Sequence, residues 1–132
     1  MSAGHNLDRL AARIAQGIVG DRKGDEATKL ENMATKALGV VQENGVYAGL
    51  LFLYSRPKDE EAKIIRDKLL CLLAADEIKA LNVAFSGQNA WGAVSKHLIT
   101  KVTDDLDTLL LVKELYEQTL IYVRYGAKAA GG

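Results

Sequence analysis

Proline is almost absent from this sequence, since Pro57 is the only one in 132 residues. A β-sandwich or β-barrel of this length normally carries several prolines in its turns, so the scarcity favours helices over strands. Cysteine is equally scarce, with Cys71 alone. A single cysteine excludes a disulfide within the chain and a CxxC metal site. The leucines on both sides of Cys71 predict a small buried side chain with an unreactive thiol.

An excess of one charge is also missing, because 17 basic and 17 acidic residues give a net charge of zero. A protein that binds DNA alone through its phosphates is usually clearly basic, so a nucleic-acid role must rest on a local patch or on other subunits. The longest apolar run, residues 46–54, is too short to cross a bilayer. Residues 1–6 do not resemble a signal peptide. We expect a cytoplasmic protein without membrane attachment.

Apolar residues recur at helical spacing along most of the chain. The first helix is predicted to follow Asn6 as its N-cap and to stop at the glycine-bracketed linker 20–24. A second helix is predicted to follow Asp25 as its cap. It breaks at Asn44-Gly45, because both residues tolerate the left-handed conformation that closes a helix.

The apolar segment 46–54 fits a buried strand or a buried helix, and periodicity alone does not separate them. No second strand-like segment exists to pair with it, so we interpret it as a central helix buried on every side. Pro57 suits the first turn of the next helix, with the acids at 59–61 near its positive end. Further helices are predicted over 76–81, from Trp91 to Ile99, and from 103–105 to about Gly126. A turn is predicted at 86–89.

These elements predict an all-α fold, a single-domain bundle of five to seven helices. The length is typical of one domain with one core. The domain is predicted to span residues 1–132, with residues 1–5 and 128–132 frayed.

Candidates for catalysis or metal binding are few. His5 and His97 are far apart, and neither has a companion at metal-ligand spacing. The aspartates at 104, 105 and 107 fail the EF-hand pattern, because leucine occupies its sixth and twelfth positions. Helix capping explains them instead. No GxGxxG, GxxxxGK[ST], GxSxG or HExxH motif occurs. We predict no enzymatic activity, no cofactor and no metal.

Basic residues remain as candidates for a site. A solvated face explains any one of them, but as a set they can follow phosphates if the fold gathers them. Most aromatic residues lie on apolar helices and are predicted to pack in the core. Tyr122 and Tyr125 flank Arg124 and are the best candidates for stacking on bases.

The segment 42–56, QENGVYAGLLFLYSR, resembles the signature of the small helical subunit of the type III-B CRISPR effector, the Cmr complex. Members of that family carry a helix, an Asn-Gly break, and a hydrophobic helix ending in Phe-Leu and a small residue followed by a base. The matching residues here are Asn44-Gly45, Phe52-Leu53 and Ser55-Arg56. A basic amphipathic first helix and a long last helix that ends in bases also agree with the family.

The resemblance implies a non-catalytic subunit of an RNA-guided ribonucleoprotein in antiviral defence. Copies of it would stack head to tail beside other subunits and line the groove that holds the guide RNA and the target RNA, touching the RNA backbone. The Asn-Gly break is then structural. The residues to which the resemblance gives a nucleic-acid role are Arg9, Arg13, Arg56, Arg124 and Lys128.

Three other interpretations stay open. One is the equivalent small subunit of the type III-A complex. Another is a helical protein–protein adaptor with no nucleic-acid role, which would expose a large apolar patch. The third is a ligand-binding or regulatory bundle, which would enclose an apolar pocket near Trp91.

Overall fold

The computed structural model describes residues 3–73, 90–102 and 105–131, with side chains placed from Leu7 onward. Within these ranges the chain forms five α-helices, one π-helical turn and no strand. The helices are α1 (Ala3–Val19), α2 (Gly24–Tyr54), α3 (Glu60–Leu73), α4 (Trp91–His97) and α5 (Leu106–Gly131), and the π-helical turn Leu98–Val102 continues α4. The predicted all-α fold is confirmed. The helix predicted over 76–81 and the turn at 86–89 lie outside the described residues.

Helix α5 packs against both α1 and α2. It runs parallel to α1, because Asp8 near the start of α1 lines a groove with Gln118, whereas Val19 at its end lies beside Gly126. It runs antiparallel to α2, because its last residue, Gly131, lies against the first turn of α2. The bundle is therefore built around α5, with α1 and α2 on either side.

One hydrophobic core joins all five helices. Tyr116 is its largest fully buried side chain, and its hydroxyl donates to the carbonyl of Leu69 at 3.2 Å, tying α5 to α3. Burial raises the pKa of Tyr116 well above its ordinary value. The buried hydroxyl of Thr119 donates to the carbonyl of Leu115 at 2.8 Å. No buried side-chain nitrogen or oxygen in the described part of the chain lacks a hydrogen-bond partner.

Helix α2 is interrupted at Gly45, whose φ of 95° and ψ of −176° fall in a region that is essentially restricted to glycine. Val41 and Gly49 lie on opposite sides of this break, yet a Cβ on Gly49 would come closer to Val41 than real Cβ atoms are found. In a straight helix, residues eight apart are separated by about 12 Å along the axis. The two halves, called α2a (residues 24–44) and α2b (residues 46–54), therefore fold against each other. The predicted break is confirmed, at Gly45.

Three predicted helix ends are wrong. Helix α1 begins at Ala3, so Asn6 lies inside it. The N-cap of α2 is Lys23 rather than Asp25, since the helix begins at Gly24. Helix α5 continues past Gly126 to Gly131. It does so because its last turns still pack, with Ala127 fully buried and Gly131 against α2.

The capping predicted for the aspartates before α5 is confirmed at Asp105, and Asp59, predicted only to lie near the positive end of α3, is a cap as well. The backbone N–H of Ala62 donates to Oδ1 of Asp59 at 3.1 Å before α3. The backbone N–H and the hydroxyl of Thr108 donate to Oδ2 of Asp105 at 3.2 and 2.7 Å at the start of α5. Pro57 lies in the turn that precedes α3 and not in its first turn.

Two burial predictions are wrong for the same reason. Cys71 is exposed although leucines flank it, and α2b is not buried on every side, because Leu51 is 44 % exposed. A helix directs consecutive side chains around its whole circumference, so an unbroken apolar run cannot face one core. Helix α5 shows the same effect, since its apolar residues Leu106 and Leu110 are 66 and 51 % exposed.

None of the helices described is both long enough and apolar enough to cross a membrane.

Candidate nucleic-acid interface

Arg9 and Arg13 lie one turn apart on α1, and both are exposed. The opposite side of the helix is in the core, where Leu10, Ala11 and Ile18 are fully buried. The two arginines are therefore directed to solvent, on a single face of α1.

A second basic pair lies near the end of α5. Arg124 is half-buried and Lys128, one turn later, is exposed. Between them in sequence, Tyr125 is 60 % exposed, and the guanidinium carbon of Arg124 lies 5.6 Å from the centre of its ring. No acid follows Glu117 in the chain, so this end of α5 carries only positive side-chain charge.

Arg56 lies in the turn after α2 and is exposed. Its guanidinium carbon is 5.0 Å from the centre of the Phe52 ring, and its backbone N–H donates to the carbonyl of Leu53 at 3.2 Å. A cation–π contact at an exposed site contributes about 0.5–1 kcal/mol. Arg56 is thus held against the end of α2b, with its charge at the surface.

Four of the five candidate residues form two pairs, Arg9 with Arg13 on α1 and Arg124 with Lys128 on α5, and these two helices pack against each other. The described contacts of Arg56 are with α2b. That all five face one RNA groove stays a prediction.

A groove lies between α1 and α5, and neither basic pair lines it. It contains cavities of about 240 and 380 Å³. Their linings include two acids, Asp8 and Glu114, and no base. Acidic side chains repel phosphates, so this groove is unsuited to an RNA backbone.

Tyr122 belongs to the groove and not to the basic surface. Its hydroxyl donates to Oδ1 of Asp8 at 2.5 Å, linking α5 to α1. This hydrogen bond to Asp8 is the main cause that raises the pKa of Tyr122, and the bond to Gln118 partly opposes it. With about 3.6 residues per turn, Arg124 lies roughly 160° around the helix from Tyr122. Of the two tyrosines predicted to stack on bases, Tyr125 alone lies on the exposed surface with Arg124.

An aromatic cluster at the junction of α2b, α3 and α4 was not foreseen from the sequence. Trp91 packs against Tyr47 and Tyr54, with ring centres 5.3 and 5.0 Å apart. Arg66 lies 4.7 Å from the Tyr54 ring and contacts Asp67 at 2.9 Å. Burial raises the pKa of Tyr54, and the positive charge of Arg66 partly opposes that shift. Among the described residues, Trp91 is therefore a packing residue.

No group of three or more histidine, cysteine, aspartate or glutamate side chains in the described ranges is placed to hold a metal ion. Comparisons of the chain with protein-family models, with curated proteins and with solved structures found no match.

Proposed function

We propose that this protein is a non-catalytic small subunit of a type III-B CRISPR (Cmr) ribonucleoprotein. It acts in antiviral defence in the cytoplasm, and it lines the groove of the guide and target RNA by contacts to the RNA backbone. The observation that carries the proposal is the break at Gly45. The chain is all-helical and folds back on itself at Asn44-Gly45, the Asn-Gly of the segment that resembles the Cmr subunit. This break supports the resemblance independently of the hydrophobic residues that make up most of the segment.

The distribution of charge supports the same function. The chain is neutral overall, but two basic pairs lie at its surface, Arg9 with Arg13 on α1 and the half-buried Arg124 with the exposed Lys128 on α5. Exposed pairs at helical spacing contact phosphates without reading bases. Each copy then makes few contacts, and its affinity for RNA is low. Copies stacked along one strand add their contacts through a high effective concentration.

Head-to-tail stacking needs contacts between unlike surfaces of neighbouring copies. The described surface carries apolar side chains that the core does not use. They are Leu51, Ile99, Leu106 and Leu110, between 44 and 66 % exposed. In this proposal they meet neighbouring copies or other subunits.

The experiment is a salt titration of RNA binding by the purified protein. Replacement of Arg9 and Arg13 by alanine, and separately of Arg124 and Lys128, should weaken binding of an oligouridine. Each pair should lower the slope of log K against log salt by about 1.4 in magnitude, since each lost phosphate contact on a single strand counts for about 0.7.

The matched control replaces Lys29 and Lys36, two exposed lysines on another face of the bundle. This control removes the same charge and should leave the slope unchanged. Equal slopes for the control and for both test pairs would mean that RNA binding depends on the net charge of the protein and not on the proposed surface.

A protein–protein adaptor is the second candidate, and the exposed apolar residues favour it. The two candidates differ in what the arginine pairs do. An adaptor binds its partner equally well without them, whereas the CRISPR subunit loses RNA.

A further inference from the structure

Tyr125 is the tyrosine that the packing of the fold does not explain. The chain has five tyrosines. Tyr47 and Tyr54 pack against Trp91, Tyr116 is fully buried, and Tyr122 bonds to Asp8. The remaining tyrosine, Tyr125, is 60 % exposed and touches the guanidinium of its own neighbour in sequence.

A single exposed aromatic residue needs no explanation, but Tyr125 has a particular setting. It is exposed on α5 next to Arg124 and less than one turn before Lys128, with no acid in the last part of the chain. An exposed ring beside two cations on a firmly packed helix combines the two features that bind single-stranded nucleic acids, because a base can stack on the ring while the phosphates meet the cations. The helix is fixed beneath it, because Val123 and Ala127 are fully buried.

We infer that Tyr125 is a stacking residue for an unpaired RNA base, with Arg124 and Lys128 beside it holding neighbouring phosphates. This inference rests on the proposed function and goes beyond it, since backbone contacts alone do not distinguish a single strand from a duplex. With Tyr125, the end of α5 prefers RNA that has at least one base outside a helix.

The test compares two fluorescein-labelled RNAs with the same number of phosphates, an oligouridine and a fully paired duplex, by anisotropy at low salt. Tyr125→Ala should bind the oligouridine about 5- to 150-fold more weakly, the range that the loss of one stacked base causes. Its affinity for the duplex and its salt slope should stay unchanged. Tyr125→Phe keeps the ring and should bind both RNAs as the unaltered protein does.

Thr35→Ala is the control, because Thr35 is an exposed, uncharged residue on α2 that belongs neither to the basic pairs nor to the exposed apolar set, and its hydroxyl donates only to the carbonyl of Glu31 in its own helix. It should leave both affinities unchanged. Circular dichroism of each variant should match the unaltered protein, since neither side chain lies in the core.

The remaining outcomes distinguish the stacking role of Tyr125 from the proposed function. If the unaltered protein binds RNA and Tyr125→Ala binds the oligouridine equally well, stacking is refuted and the proposed function stands. If the unaltered protein binds neither RNA, both are refuted. If Tyr125→Ala loses self-association in sedimentation while RNA binding is kept, the ring packs against protein and the inference is wrong.

Discussion

Replacement of Gly45 by alanine tests whether α2 folds back on itself, because the sign of the change in the free energy of unfolding depends on it. The φ of 95° at Gly45 lies where an L side chain is strained, at a cost of about 1–3 kcal/mol. If α2 were straight at this position, alanine would instead stabilise it by about 1 kcal/mol, because alanine is the better helix former. The two structures of α2 thus predict opposite changes in the free energy of unfolding.

Gly39→Ala is the matched control within the same helix. A Cβ at Gly39 meets nothing within 4 Å, and its φ is not positive. Alanine there should stabilise the protein by about 0.4–1 kcal/mol, chiefly by restricting the unfolded chain.

Urea unfolding followed by circular dichroism measures both variants. With a slope of about 2 kcal/mol per M, the midpoints of the two variants should differ by an amount on the order of 1 M, with Gly45→Ala the lower. A Gly45→Ala protein that is as stable as Gly39→Ala would refute the break at residue 45 and, with it, the packing of α2a on α2b.

Three further predictions concern Gly49, Asp105 and Cys71. Gly49→Ala should lower the free energy of unfolding by about 1–3 kcal/mol, because the added methyl group overpacks against Val41. Adding Val41→Ala to the Gly49→Ala protein should restore part of the lost stability. If urea unfolding shows that the losses of the two substitutions simply add, the contact between these residues is contradicted. The hydrogen bonds from Thr108 hold the pKa of Asp105 below its ordinary value, so its contribution to stability is present above about pH 4 and is lost as the pH falls further. Asp105→Asn, which keeps the cap, should flatten the acid limb of a plot of melting temperature against pH; an unchanged limb would refute this origin. Cys71 is exposed, so a thiol reagent should modify it fully in the folded protein, and a reaction that waits for denaturant would show that it is buried.

Helices were predictable from this sequence where local signals set them. Periodic apolar positions and the cap at Asp105 act within a few residues, so they can be predicted directly from the sequence. The break at Gly45 was predictable for the same reason. That α2b folds onto α2a was not, since it depends on the contact between Val41 and Gly49 rather than on glycine alone.

The features of the candidate site that depend on local spacing could also be predicted, whereas those that depend on contacts between helices could not. That Arg9 and Arg13 share an exposed face follows from their spacing. The separation of Tyr122 from Tyr125 does not, because the partner that draws Tyr122 into the groove is Asp8, on the first helix. Exposure of Cys71 was missed because the leucines around it indicate a core helix without indicating which side faces inward.

Whether the protein works inside an RNA-guided complex is tested by a pull-down of the tagged protein from its native host, with sequencing of the RNA that accompanies it. We expect short RNAs that carry a CRISPR repeat tag, recovered together with larger protein subunits, and a loss of both when the two basic pairs on α1 and α5 are replaced. Recovery of protein partners without RNA would contradict the account and would establish the adaptor in its place.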